Sequence, residues 1–254
     1  MSAAFFPGRY FMYGYGYGYG IDWTYIILVL PAVIFSLWAS TRVNSTFRRY
    51  QGQYARNGLT GAEAARAVLE RNGVYDVRIE RVGGSLTDHY DPSANVIRLS
   101  ESVYGSCSTA AIGVACHEAG HAVQHAEHYL PASIRSAIVP VTNIGSRLSM
   151  PLIVLGIIFS SFSYFFVYVA YAGVLCFGLS TLFQLVTLPT EFDASRRAIW
   201  AIEDGNLLDE DEQKGAKKVL RAAAMTYVAA LAVSVTQLFR LLLIVGGRRR
   251  DDRR

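Results

Sequence analysis

Three hydrophobic patterns alternate along the chain, and each predicts a different kind of element. Residues 23–40, WTYIILVLPAVIFSLWAS, carry no charge and have a tryptophan near each end, which predicts a transmembrane helix with its indoles at the two interfaces. A cleaved signal peptide is disfavoured because no basic stretch precedes the run. Residues 150–189 run for forty positions without a charge. A single helix of that length would measure about 60 Å, roughly twice the hydrocarbon thickness, so the segment is expected to fold back as a transmembrane hairpin near Ala170 to Gly173. Residues 222–247 form a last apolar run that contains Thr226, Gln237 and Arg240. It is long enough to be a transmembrane or membrane-embedded helix, provided that Arg240 faces protein or reaches an interface. The runs add up to about four transmembrane helices.

Between the apolar runs the periodicity changes. TGAEAARAVLERN, from Thr60 to Asn72, has Thr60 and Glu63 at capping-box spacing and Gly73 just beyond, which predicts a helix. VRIERV (Val77 to Val82) and NVIRLS (Asn95 to Ser100) read as short strands, separated by a loop, GGSLTDHYDPSA. STAAIGVACHEAGHAVQHAEH, from Ser108 to His128, reads as a second helix. That second helix carries the metal-binding pattern H-E-x-x-H at residues 117–121, so the expected fold class is α+β, a zincin-like metallopeptidase domain combined with about four membrane helices. Its segments are a Tyr/Gly-rich tail (1–22), a span (23–40), a zincin-like domain (41–149), the hairpin (150–189), a helical segment carrying a metal ligand (190–221), the last apolar helix (222–247) and a basic tail (248–254).

Charge refines this picture by orienting it. Of 254 residues 52% are hydrophobic and only 17% charged, and the +4 net charge gathers in arginines beside the apolar runs. Such a distribution points to lipid rather than to a nucleic-acid partner. Arg42, Arg48, Arg49 and Arg56 follow the first span and place that side in the cytoplasm, with the amino terminus outward. A hairpin returns its second end to the same side, which brings residues just after 189 towards the histidines. Four full spans would leave the RRRDDRR tail outside, against the positive-inside tendency. Either the last helix is not a full span or the tail breaks the rule. Cys107, Cys116 and Cys176 are an odd set with no zinc-type spacing and imply no disulfide framework.

Four of the five histidines lie in HEAGHAVQHAEH, residues 117–128. His117, Glu118 and His121 spell H-E-x-x-H. On a helix, residues four apart share one face about 6 Å apart along the axis, so both imidazoles can reach one Zn²⁺ while Glu118 serves as general base. His125 lies about 12 Å along the axis from His117, too far to bind the same ion with the other two. It and His128 are expected to be solvated or hydrogen-bonding groups at the helix end. A third ligand must come from elsewhere. LPTEFDASRRA, residues 188–198, follows the hairpin and offers Glu191, with Asp193 as the alternative that faces away when Glu191 faces in. Arg196 and Arg197 are expected at lipid headgroups.

These segments together, HEAGH in a helix, LTDHYDP and NVIRLS before it, EFDASRRA after a membrane hairpin, with SAIVPVTNIGS and KKVLRAAAMTYVAA, resemble the YugP-like family of bacterial membrane zinc metallopeptidases from about residue 42 to 235. That family is similar in plan to the HtpX-like membrane proteases. The resemblance implies His117, His121 and Glu191 as ligands of one Zn²⁺ per chain and Glu118 as the base, a gluzincin arrangement. The HtpX-like pattern has an aspartate four residues after the ligand glutamate, where this chain has Ser195. Ser195 is then the candidate for orienting His117 or His121 by a hydrogen bond.

The expected function is a zinc-dependent endopeptidase acting on polypeptides, membrane proteins included, at the cytoplasmic face of the bacterial inner membrane. Asn95 to Ser100 is expected to be the edge strand that pairs with an extended substrate, and His89 or Tyr90 to supply an oxyanion donor. The rival expectation is a non-catalytic assembly or chaperone-like membrane protein with a structural zinc, and a weaker one is a metal-bound docking module. Glu118 favours the enzyme, because a structural site is more often closed by a fourth protein ligand.

Overall fold

The computed structural model describes residues 22–84 and 87–251. The Tyr/Gly repeat and the last residues of the basic tail lie outside them. The architecture is mostly helical, with one small sheet. A π-helical turn, Tyr25–Val29, leads into α1 (Leu30–Gln51), followed by α2 (Gly61–Arg71), strands β1 (Arg78–Val82), β2 (His89–Asp91) and β3 (Val96–Ser100), and a one-turn α3 (Glu101–Tyr104). Then come α4 (Thr109–Ala126), α5 (Leu130–Phe159), α6 (Phe165–Asp204) and α7 (Glu210–Asp251).

The local signals act as expected where they are strong. Thr60 and Glu63 form a reciprocal capping box at the start of α2. Ser108 caps α4 by accepting from the Ala111 N–H, and His128, with a φ of 53°, lies in the left-handed turn just past the helix end. The sheet departs from the two-strand expectation. The Gly- and Asp-rich loop holds a third strand, β2, and the spatial order is β1-β3-β2, with β3 parallel to β1 and antiparallel to β2. Asn95 to Ser100 is therefore not an edge strand. Its Val96, Ile97 and Leu99 are completely buried, and a strand with that much apolar surface is most stable when paired on both sides. The edge nearest α4 is β2, which is too short and polar to be read as a strand from periodicity alone.

Four helices among the described residues are long and apolar enough to cross a membrane: Tyr25–Gln51, Leu130–Phe159, Phe165–Asp204 and Glu210–Gly247. The hairpin is present, but its turn falls at residues 160–164 rather than near Ala170 to Gly173. The reason is that α5 begins at Leu130 and carries Arg147 within it, so its apolar length is reached earlier than the middle of the uncharged run. α5 itself begins at Leu130, within the 41–149 segment. Small residues let the two hairpin helices approach: a Cβ on Gly173 would lie 2.7 Å from the Ile153 nitrogen and from the Ser149 carbonyl oxygen. Arg240 is met by protein. It pairs with Asp22 at the amino-terminal end of the first helix and lies over the Tyr25 ring, 5.5 Å from its centroid.

The main core gathers Val68 and Leu69 of α2, Ile97 and Leu99 of β3, the alanine-rich inner face of α4, Ile202 at the end of α6 and Val219 near the start of α7. Ala111, Ala115 and Ala119 are fully buried, and their small side chains let neighbouring backbones approach α4 closely. α4 thus becomes a rigid central helix, the proper base for ligands that must hold their positions.

Candidate metal centre

α4 presents His117 and His121 on one face, as the four-residue spacing requires. The second half of α6 crosses that face. Gly120 makes the crossing close: a Cβ there would lie 2.8 Å from the Ala194 carbonyl oxygen. Glu191 is not in a separate segment after the hairpin. It lies on the same unbroken helix, α6, two residues after Pro189. Its Oε2 lies 3.2 Å from His117 Nε2 and 3.4 Å from His121 Nε2. In a tetrahedral zinc site with bonds near 2.05 Å the ligand atoms stand about 3.3 Å apart, so both distances from the carboxylate oxygen match the edges of such a site, and all three atoms lie within 4.8 Å of one another. Among the described residues they form the one histidine, cysteine and carboxylate cluster close enough to hold an ion.

Each imidazole uses its other nitrogen as a metal-binding histidine does. His117 Nδ1 is 3.2 Å from Ser195 Oγ, which places the sequence-predicted Ser195 against the first histidine. His121 Nδ1 is 3.0 Å from Gln124 Oε1. Gln124 is completely buried and donates in turn to the Thr190 carbonyl and to Asp193 Oδ2, both at 2.9 Å. Asp193 faces away from Glu191, as helical geometry demands, and accepts from Arg197 Nε at 2.6 Å and from Arg196. Arg197 also binds Glu127 and lies over the Tyr129 ring, so it braces α6 against the end of α4. The histidine pair is thus fixed by two hydrogen-bonded connections to α6. Burial by itself disfavours a charged His121, but Glu191, Glu118 and Gln124 outweigh it and raise its pKa above the ordinary 6.5.

Glu118 is 8% exposed and accepts from the Tyr90 backbone N–H at 2.9 Å. That N–H points away from β3, so the free edge of β2 faces the candidate base. The Tyr90 hydroxyl turns elsewhere, 2.9 Å from Asn95 Oδ1 and 3.1 Å from His125 Nδ1. It ties β2 to the end of α4 and leaves the backbone, not the phenol, at Glu118. His125 joins that tie instead of the metal cluster. His89 is exposed, with Nδ1 2.8 Å from the Thr87 carbonyl, and braces the turn before β2.

Three further residues reach the cluster without any sequence signal that marked them. Gln124 has only its position, one turn beyond His121. Arg135 of α5 donates from Nη1 to Glu191 Oε1 at 2.7 Å. Tyr227 of α7 lies near Glu191, bringing another apolar helix to the site.

The donor set suits Zn²⁺: two imidazoles and one carboxylate, with no fourth protein ligand among the described residues. The chain is similar to "Putative membrane protease YugP" of Bacillus subtilis (strain 168), 44% identical over 220 residues that cover 87% of this chain and 96% of the relative. No solved structure matches it. With this relative and its four apolar helices, the chain is a membrane protein. A family model described as "Putative neutral zinc metallopeptidase" matches residues 25–246, nearly the whole chain and both halves of the cluster, and the protein belongs to that family of zinc metallopeptidases.

Proposed function

We propose that the protein is a multi-pass membrane endopeptidase of gluzincin type, with one Zn²⁺ per chain held by His117, His121 and Glu191 on a zincin-like domain. The observation that carries this reading is the spacing of 3.2 and 3.4 Å from Glu191 Oε2 to the two imidazole nitrogens, beside a carboxylate that is not a ligand. When bound, Zn²⁺ would supply Lewis acidity, polarising a scissile carbonyl and acidifying water.

The remaining steps belong to the chain's own residues. Glu118, held by the Tyr90 N–H, receives the water proton and delivers it to the leaving amine. Ser195 and Gln124 hold the imidazole rings in register. An extended polypeptide approaches along the outer edge of β2, the strand next to α4, where the Tyr90 carbonyl, on the same outward side as the N–H that Glu118 engages, is available for main-chain hydrogen bonding. The arginines after the first span support a site on the cytoplasmic side of the bacterial inner membrane, and membrane proteins with unfolded or accessible segments are the substrate class suited to that position.

The test is zinc content together with hydrolysis of unfolded and membrane-protein substrates by detergent-purified wild type, Glu118→Gln and Glu191→Ala. The expected outcome is equimolar zinc in wild type and Glu118→Gln, loss of zinc in Glu191→Ala, and cleavage by wild type alone. Hydrolysis retained by Glu118→Gln would remove the general base. Equimolar zinc in all three chains with no cleavage would favour the structural-zinc reading and strike Glu191 from the ligands.

A further inference from the structure

The two carboxylate oxygens of Glu191 have different neighbours. Oε2 faces both imidazole Nε2 atoms, while Oε1 accepts from Arg135 Nη1 at 2.7 Å. The arginine comes from α5, a third helix that carries none of the histidines and not the glutamate. Its side chain is one-third exposed, whereas that of Glu191 is almost sealed, at 3%. A carboxylate beside a metal can bind through one oxygen or through both, and the second mode needs both oxygens free to turn towards the ion. A charge-assisted N–H···O⁻ bond at this length is among the stronger hydrogen bonds available to a protein. The guanidinium is also planar and fixes direction as well as charge, which a lysine ammonium does not.

We propose that Arg135 is a positioning residue for the metal: by engaging Oε1 it confines Glu191 to ligation through Oε2 alone, and so keeps a coordination position open for water and the scissile carbonyl. The inference rests on the reading of His117, His121 and Glu191 as ligands. It differs from a simple tether between α5 and α6, because those helices already meet along small-residue contacts at Gly145, Gly156 and Gly173, on the far side of Arg135 from the site. A tether would add stability there without changing how the metal is bound.

Cobalt substitution distinguishes the two roles, since four-coordinate Co²⁺ absorbs visible light several-fold more strongly than five-coordinate Co²⁺. The full chain is purified in detergent as wild type, Arg135→Met and Arg135→Lys, loaded with Co²⁺, and assayed for metal per chain and for absorption. The expected result is an intense four-coordinate band in wild type. In Arg135→Met one metal per chain is retained but the band falls several-fold, as Oε1 joins the ion, and Arg135→Lys restores part of it. If Arg135→Met does not fold, Arg135→Lys keeps the charge without the fork and must still show a weakened band. An unchanged band in the folded variants overturns the proposal and leaves Arg135 a tether. Loss of the metal from a folded Arg135→Met chain also overturns it, because the arginine would then hold the site together and not choose its ligation mode. Failure of wild type to take up Co²⁺ would be failure of the ligand reading itself, visible before any substitution is made.

Discussion

α6 is held at its two ends by different means. Along its first half it packs on α5 through small residues, with Gly173 against Ile153 and Ser149 and Gly156 against Ala170. Along its second half it crosses α4, again through a glycine, Gly120 against Ala194, but here hydrogen bonds cross the interface as well: His117 to Ser195, and Gln124 to Thr190 and Asp193. Close approach of backbones is common to both. Only the second fixes direction, and that is what a metal centre requires. In lipid, packing and shape suffice to join helices, whereas three ligand atoms within a few tenths of an ångström of a tetrahedron need side chains locked from behind.

The largest effect should come from wedging the second interface. Gly120→Val adds atoms where even a Cβ is 2.8 Å from the Ala194 carbonyl, so α4 and α6 must separate. Zinc content and hydrolysis are expected to fall together to background; one tightly bound zinc per chain in this variant would show that the crossing distance does not set the site. The same wedge in the first interface, Gly173→Val, should instead lower stability in detergent by about 1–3 kcal/mol, with zinc per folded chain unchanged. Thermal unfolding and metal analysis on one preparation check it, and zinc lost in parallel would mean that hairpin and site form a single unit.

A smaller effect is expected from Gln124→Leu, which removes the partner of His121 Nδ1 and of Asp193 while keeping the volume apolar. Zinc affinity, measured by chelator competition, should weaken by about 10–100-fold. An affinity equal to wild type would mean that the hydrogen bonds across this interface are incidental. The mildest test is pH. His121 must be neutral to bind metal, and its pKa in the metal-free protein is raised, so protons compete with zinc at higher pH than for an ordinary histidine. Zinc affinity should therefore begin to fall already above pH 6.5 as the solution is acidified, and an affinity that stays level down to pH 6.5 would contradict the influence of Glu191 on His121.

Features that depend on a few neighbouring residues were legible in the chain itself. The capping box at Thr60 and Glu63, the helix from Ser108, the H-E-x-x-H face, the separation of His125 from it and the opposite facing of Glu191 and Asp193 all follow from helical period and capping chemistry. The apolar runs likewise announced four membrane-length helices, because length and absence of charge are properties of a segment.

What the sequence alone could not determine depends on which segment lies beside which. The hairpin turn sits at residues 160–164 because α5 starts at Leu130 and tolerates Arg147, so the midpoint of an uncharged run is not the midpoint of two helices. β3 became central and β2 the edge, since pairing order is a property of the whole sheet and three polar residues carry no alternation to read. Gln124, Arg135 and Tyr227 gained their places at Glu191 or His121 from the crossing of α4, α5, α6 and α7. The sequence determined which atoms could hold a metal; only the tertiary structure brought the third of them, seventy residues on, to within 3.4 Å of the other two and decided what stands behind it.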